Sequence, residues 1–188
     1  MFLLGLGIGV VLMLGRQYVA EYRRLHVPGM AGDEIAFVQA VSAARDAWVN
    51  APNDLARVGM RAGRGAKLCA VLPGLAAHDW TGRVVSIEPD RFPDYAGKAS
   101  AHIVIGLGAH VMLSTPAAPL LNMPGAMVEV GSPVYIVAKT LRIGAPVLFS
   151  ARFFGSGTDC MAETSFTDDG SMRKPVFKVQ LTALTALQ

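Results

Sequence analysis

Residues 132–153 read SPVYIVAKTLRIGAPVLFSARF, and the change of period inside that stretch decides the fold. Ser132 is a good N-cap, and Pro133 suits the first helical position, where its missing N–H is not needed. Tyr135, Ala138 and Leu141 then recur at helical spacing and are expected to face a core. Gly144 stops that helix. Beyond it Val147, Phe149, Ala151 and Phe153 recur at period two, which puts all four on one face of a strand.

Working outward, three upstream segments show the same alternation. Val85 and Ile87 alternate in residues 82–88, Ile103 and Ile105 in residues 100–106, and Val111 and Leu113 in residues 109–114. A loop containing Pro116, Pro119 and Pro124 leads from there to the helix. Downstream, after a polar loop, Phe177, Val179, Leu181 and Ala183 alternate. Three strands, a helix and two strands is the order of an OB-like barrel of five strands. Closure into a barrel also hides apolar strand edges that would otherwise pair between molecules. Trp80, Phe149, Phe153 and Phe177 are expected inside it.

Residues 33–74 read as helical. Asp33 is the expected N-cap of a helix to about residue 50, with Phe37, Val41, Ala44 and Trp48 on its apolar face. Pro52 ends it. Asn53 then caps a second helix through Leu55, Val58, Leu68 and Val71, weakened by Gly59, Gly63 and Gly65 at about 1 kcal/mol each. Pro73-Gly74 stops that one. These helices are expected to pack on each other or on the barrel.

The chain of 188 residues is 52% hydrophobic, with a mean hydropathy of +0.40. Part of that excess is local, because residues 1–15 carry no charged side chain. Residues 2–14, FLLGLGIGVVLML, fall short of the roughly 20 apolar residues of a bilayer span. Arg16 can snorkel while residues 17–20 complete it. No basic residue precedes the run, so an uncleaved anchor fits better than a signal peptide. The expected organisation is therefore α+β: a membrane helix over 1–22, a linker over 23–32, helices over 33–74 and an OB-like barrel over 79–188.

Candidate chemistry is sparse. Arg57, Arg61, Arg64 and Lys67 form the densest basic group, which could touch phosphate or anionic lipid but equally suits the solvated face of a helix. Glycines 59–65 do not make a phosphate loop, since no Gly-Lys-Ser/Thr follows and no strand precedes. His102 and His110, on adjacent strands, lack a third metal ligand at useful spacing. Asp159, Cys160, Glu163, Asp168 and Asp169 crowd one loop without the spacing of a calcium site, and Asp168-Asp169-Gly170-Ser171 reads as a turn. Strands two and three, SAHIVIG and AHVMLST, offer no aromatic or basic side chain for single-stranded nucleic acid. No acid–base pair or triad can be assembled, so no catalytic residue, metal or cofactor is expected. Cys69 and Cys160 are either one disulfide or two unrelated thiols, and their number and spacing do not decide between them.

Residues 147–153, then Asp159-Cys160, Glu163, Ser165, Thr167, Gly170-Ser171-Met172, Pro175 and Phe177, resemble the C-terminal half of a family of uncharacterised bacterial OB-like (tRNA_anti-like) domains. Asp79-Trp80-Thr81-Gly82, Gly131-Ser132-Pro133-Val134-Tyr135 and the helix over 53–72 fit the same pattern. The resemblance covers residues 33–188. It implies a domain behind a single membrane span, with cysteines at both places, which favours a Cys69–Cys160 bridge and no assigned activity. Such a bridge belongs outside a reducing cytosol and places the domain in the periplasm, whereas Arg16, Arg23 and Arg24 after the span favour the cytoplasm. The functional expectation is a non-enzymatic, membrane-tethered module that binds a protein partner or small ligand in the cell envelope. The alternative is a nucleic-acid-binding protein at the membrane surface that uses the basic helix.

Overall fold

The computed structural model describes residues 30–89, 100–108, 110–116, 127–157 and 159–187. The expected anchor over 1–22, most of the linker and most of the proline-rich loop lie outside those residues. Three helices come first: α1 (Gly32–Val49), α2 (Asp54–Arg57) and α3 (Met60–Val71). Then follow β1 (Ala76–Pro89), β2 (Ser100–Gly106), β3 (Met112–Ser114), β4 (Val128–Glu129) and α4 (Pro133–Ala138). The chain closes with β5 (Pro146–Phe153), β6 (Gly155–Ser156), β7 (Cys160–Met161), α5 (Asp168–Arg173) and β8 (Val176–Ala186). Among the described residues no helix is long and apolar enough to cross a membrane.

Five strands close a mixed barrel. β1 pairs antiparallel with both β5 and β2, β2 with β3, and β5 with β8, while β3 and β8 run parallel. The inward residues can be followed round the ring by register: Trp80 opposite Phe149, Phe149 opposite Leu184, Phe177 opposite Leu113, Leu113 opposite Ile105, and Ile105 opposite Val84. With α4 between the third and fourth barrel strands, this α+β arrangement is compatible with an OB-like barrel. β4 pairs with the start of β2, and β6 with β7 makes a separate two-stranded ribbon.

Helix α1 plugs the barrel. Its Phe37 ring lies 5.2 Å from Trp80, 5.3 Å from Phe153 and 5.2 Å from Phe177, and all four side chains are buried. Val38 and Val41 join the same core, so the helices and the barrel share one apolar interior. The first turn of α1 is fastened by acids: Trp80 Nε1 donates to Asp33 Oδ1 at 3.1 Å, and Thr81 N donates to Glu34 Oε2 at 3.0 Å.

Several local expectations need correction. Asp33 is not the N-cap; Ala31 holds that position without a side-chain bond, and Asp33 sits in the first turn, turned to Trp80. The second helix is two, because Asn53 caps only α2 and Gly59, at φ 78°, breaks the chain before α3. In β1 the phase is displaced: Val84 is buried and Val85 is 44% exposed. A bulge explains it, since the β1–β2 register shifts between Val84 and Ser86 and an extra residue flips the face. A second shift, at Ser150/Ala151 against β8, turns Ala183 outward and brings Leu184 in. Residues 168–171 are not a glycine turn but the start of α5, capped by Thr167 Oγ1, which accepts from Gly170 N at 3.1 Å. The α4 helix does begin at Ser132, whose Oγ accepts from Tyr135 N, yet it ends at Ala138 and buries Val134 more fully than Tyr135.

The glycines of α3 have distinct reasons to be there. A Cβ on Gly65 would lie 2.9 Å from the backbone of Asp159, whereas one on Gly63 would meet nothing within 4 Å. Gly63→Ala should therefore raise unfolding stability by about 0.5–1 kcal/mol, and Gly65→Ala should lower it by about 1–3 kcal/mol. Chemical unfolding of both variants checks this; equal effects would mean that α3 does not cross the β6–β7 loop so closely.

Candidate functional site

The basic helix folds inward onto the acidic loop. Arg57 pairs with Asp54 at 2.7 Å and gives its Nε to the Trp48 carbonyl. Arg61 bridges Asp159 at 2.7 Å and Asp168 at 3.0 Å. Arg64 is 2% exposed, contacts Glu163, and donates to the Ser171 carbonyl at 2.7 Å and to Ser171 Oγ at 2.9 Å. Lys67 is exposed and has no ion pair among the described residues. One helical turn past Gly65, Cys69 is bridged to Cys160 on β7. Arg61, Gly65 and Cys69 recur every four residues, so one face of α3 carries an ion pair, a close approach and a covalent link to the same loop. Three of the four basic side chains are thus partnered by carboxylates of this chain. The acidic stretch from Asp159 to Asp168 is the counterpart of Arg61 and Arg64, and Asp169 in α5 also accepts from Trp48 Nε1 at 3.0 Å.

The two histidines have different neighbours. His102 Nε2 lies 2.8 Å from Ser114 Oγ on the neighbouring strand. This is the reach of a serine–base pair. Ser114, however, is 4% exposed and its hydroxyl also bonds the Thr115 carbonyl, so a substrate has no approach to it. His110 instead stands in the β2–β3 turn with φ 76°, a left-handed conformation that a side chain of its type adopts at a cost of about 1–2 kcal/mol.

That turn forms one lip of a cleft of about 770 Å³ at an end of the barrel. Val85, Leu107, Met112 and Leu187 supply apolar wall, and Val85 and Leu187 remain well exposed. Arg83, His110 and Lys174 bring nitrogen to the rim from β1, the β2–β3 turn and the approach to β8. Arg83 Nη1 donates to the Gly144 carbonyl at 3.1 Å, and none of the three has an acidic partner among the described residues. Glu34 lines the inner wall, 1% exposed, accepting from Thr81 N and from Thr81 Oγ1 at 3.1 Å. Met30, where the described chain begins, also borders the cleft.

Burial holds the Glu34 carboxyl above its ordinary value of 4.5, against the two Thr81 hydrogen bonds that pull it down. The folded chain therefore binds that proton more tightly than the unfolded chain. Its contribution to stability is present below about 4.5 and is lost as pH rises through the native value. Glu34→Gln should remove that part of the fall, leaving the variant at least as stable as the parent above the window. Unfolding free energies of both proteins between pH 4 and 7 check it; identical pH slopes would show that Glu34 titrates alike in both states.

Sequence reading missed this cleft because its walls come from segments far apart in the chain. The bulge that exposes Val85 carries no local signature. Glu34 read only as an acid near a helix start. No protein-family model, no curated protein and no solved structure matches this chain.

Proposed function

We propose that this chain is a membrane-tethered OB-like binding module, with the cleft between β1, the β2–β3 turn and the start of α1 as its binding site. The observation that carries this reading is the cleft itself: exposed apolar wall, basic side chains with no acidic partner among the described residues, and a lip held in a left-handed conformation. Strained backbone of this kind clusters where ligands are clamped. The volume falls in the ordinary range for small-ligand sites. The basic group of Arg57, Arg61, Arg64 and Lys67 serves this reading as structure, because Arg61 and Arg64 pin α3 to the acidic loop. The expected span over 1–22 would deliver the domain to the membrane through the linker, and Met30 on the cleft border brings that end of the chain beside the site. The Cys69–Cys160 bridge supports a placement outside the reducing cytosol, in the cell envelope.

The test is site-specific photocrosslinking of the full chain in native membranes, followed by mass spectrometry. Probes at Val85 and Leu187 should capture a discrete small molecule or partner segment, and a probe at Val58, which is more exposed than either, should not. Capture confined to Val58, or steeply salt-dependent capture of nucleic acid there, would overturn the reading in favour of the basic helix.

A further inference from the structure

We propose that the cleft takes a single-tailed anionic amphiphile, with its acidic head at Arg83, His110 and Lys174 and its apolar tail along Val85, Met112 and Leu187. This rests on the cleft being the binding site and names what fits it. Charge is the first argument. The protein neutralises Arg57, Arg61, Arg64 and Arg173 with its own carboxylates, whereas three basic side chains from separate parts of the chain share this rim with no carboxylate partner among the described residues. An anion placed among them gains attraction, with no acid at the mouth among the described residues to oppose it. Glu34, the acid of the cleft, lies on the inner wall with both oxygens engaged by Thr81.

Apolar surface is the second argument. Val85 is 44% and Leu187 38% exposed, and both face the same cleft rather than the core. Each remains unburied unless a ligand covers it, and a flexible hydrocarbon chain gains from that burial at about 0.8 kcal/mol per methylene. A small hydrophilic anion would use the rim and leave those walls wet. A neutral lipid would fill the walls and place no anion at the basic rim. Only a molecule with both parts satisfies both observations. Its source is either a free long-chain carboxylate or a single-chain phospholipid drawn from a bilayer, and the two share this chemistry.

The experiment uses the full chain in phosphatidylcholine vesicles, with protein-free vesicles as background. Three radiolabelled probes are compared: dodecanoate, dodecanol and dodecyltrimethylammonium. Saturable retention of dodecanoate at one per chain is expected, with Arg83→Glu/Lys174→Glu weakening it at least tenfold and leaving dodecanol nearly unchanged. The exposed Lys174→Glu alone serves if the double variant fails to give the near-ultraviolet circular dichroism of the parent. Saturable uptake of dodecanoate from water identifies the free source. Protein-dependent removal of lysophosphatidylglycerol from the vesicles identifies the bilayer source. If neither occurs, or if the cationic probe binds as well as dodecanoate, the ligand class is wrong while the cleft can still be the site. If Val85→Trp and Leu187→Trp, which narrow the walls, change the retention of no probe, the cleft reading fails with it.

Discussion

Replacing both cysteines by serine should lower the stability of the folded chain by about 4–5 kcal/mol. The bridge between Cys69 and Cys160 spans a sequence separation of 91 residues, which includes all of β1 to β6. Opening it restores to the unfolded chain the freedom of a long loop, and the loop-entropy account gives about that magnitude for a closure of this length. The folded state loses little in return, because α3 remains held by Arg61, Arg64 and the close approach at Gly65. Urea unfolding followed by tryptophan fluorescence should show a midpoint lower by about 2 M, taking a slope of roughly 2 kcal/mol per molar urea. Parent protein treated with reductant should match the serine variant. A loss below about 1 kcal/mol would mean that the ends of this loop stay together in the unfolded chain without the bridge.

The barrel was legible because its signals are local. Ser132-Pro133 and Gly144 bracket a helix, and the flanking alternations at Ile103, Ile105, Phe149 and Phe153 each lie within one strand. What escaped sequence reading depends on a partner. Val84 and Val85 are adjacent valines, and only the register of β2 decides which one points inward. Ala183 continues a perfect alternation in sequence, and the shift against β5 still turns it out. Asp33 is a good cap by composition, but the indole N–H of Trp80 from β1 takes its carboxylate. The arginines of α3 and the acids of residues 159–169 were each visible as a cluster. Their complementarity was not, since close to a hundred residues separate them in the chain and only the fold brings them together. For the same reason the cleft has no trace in any single segment.

The Arg64–Glu163 pair should behave differently when one partner is removed and when both are. Each side chain is 1% exposed, and Ser171 is buried between them, donating its hydroxyl to Glu163 Oε2 at 2.7 Å. The Arg64 guanidinium carbon also lies 5.7 Å from the centre of the Phe177 ring, at the edge of the aromatic core. Burial pushes Glu163 up and Arg64 down, outweighing their mutual attraction, so each charge is tolerated there only because the other is present. Arg64→Met alone leaves a buried carboxylate with Ser171 as its remaining partner, and Glu163→Leu alone leaves a buried guanidinium. Each should cost about 3–5 kcal/mol. The double variant removes both charges from water-poor surroundings and replaces them with side chains that can pack against Phe177. It strands only the Ser171 hydroxyl and carbonyl, so it should cost about 1–3 kcal/mol, less than either single variant. A double-mutant cycle in urea measures the coupling directly. Losses that simply add would show that the two side chains act independently, and that the acidic loop is held to α3 by the bridge and Arg61 alone.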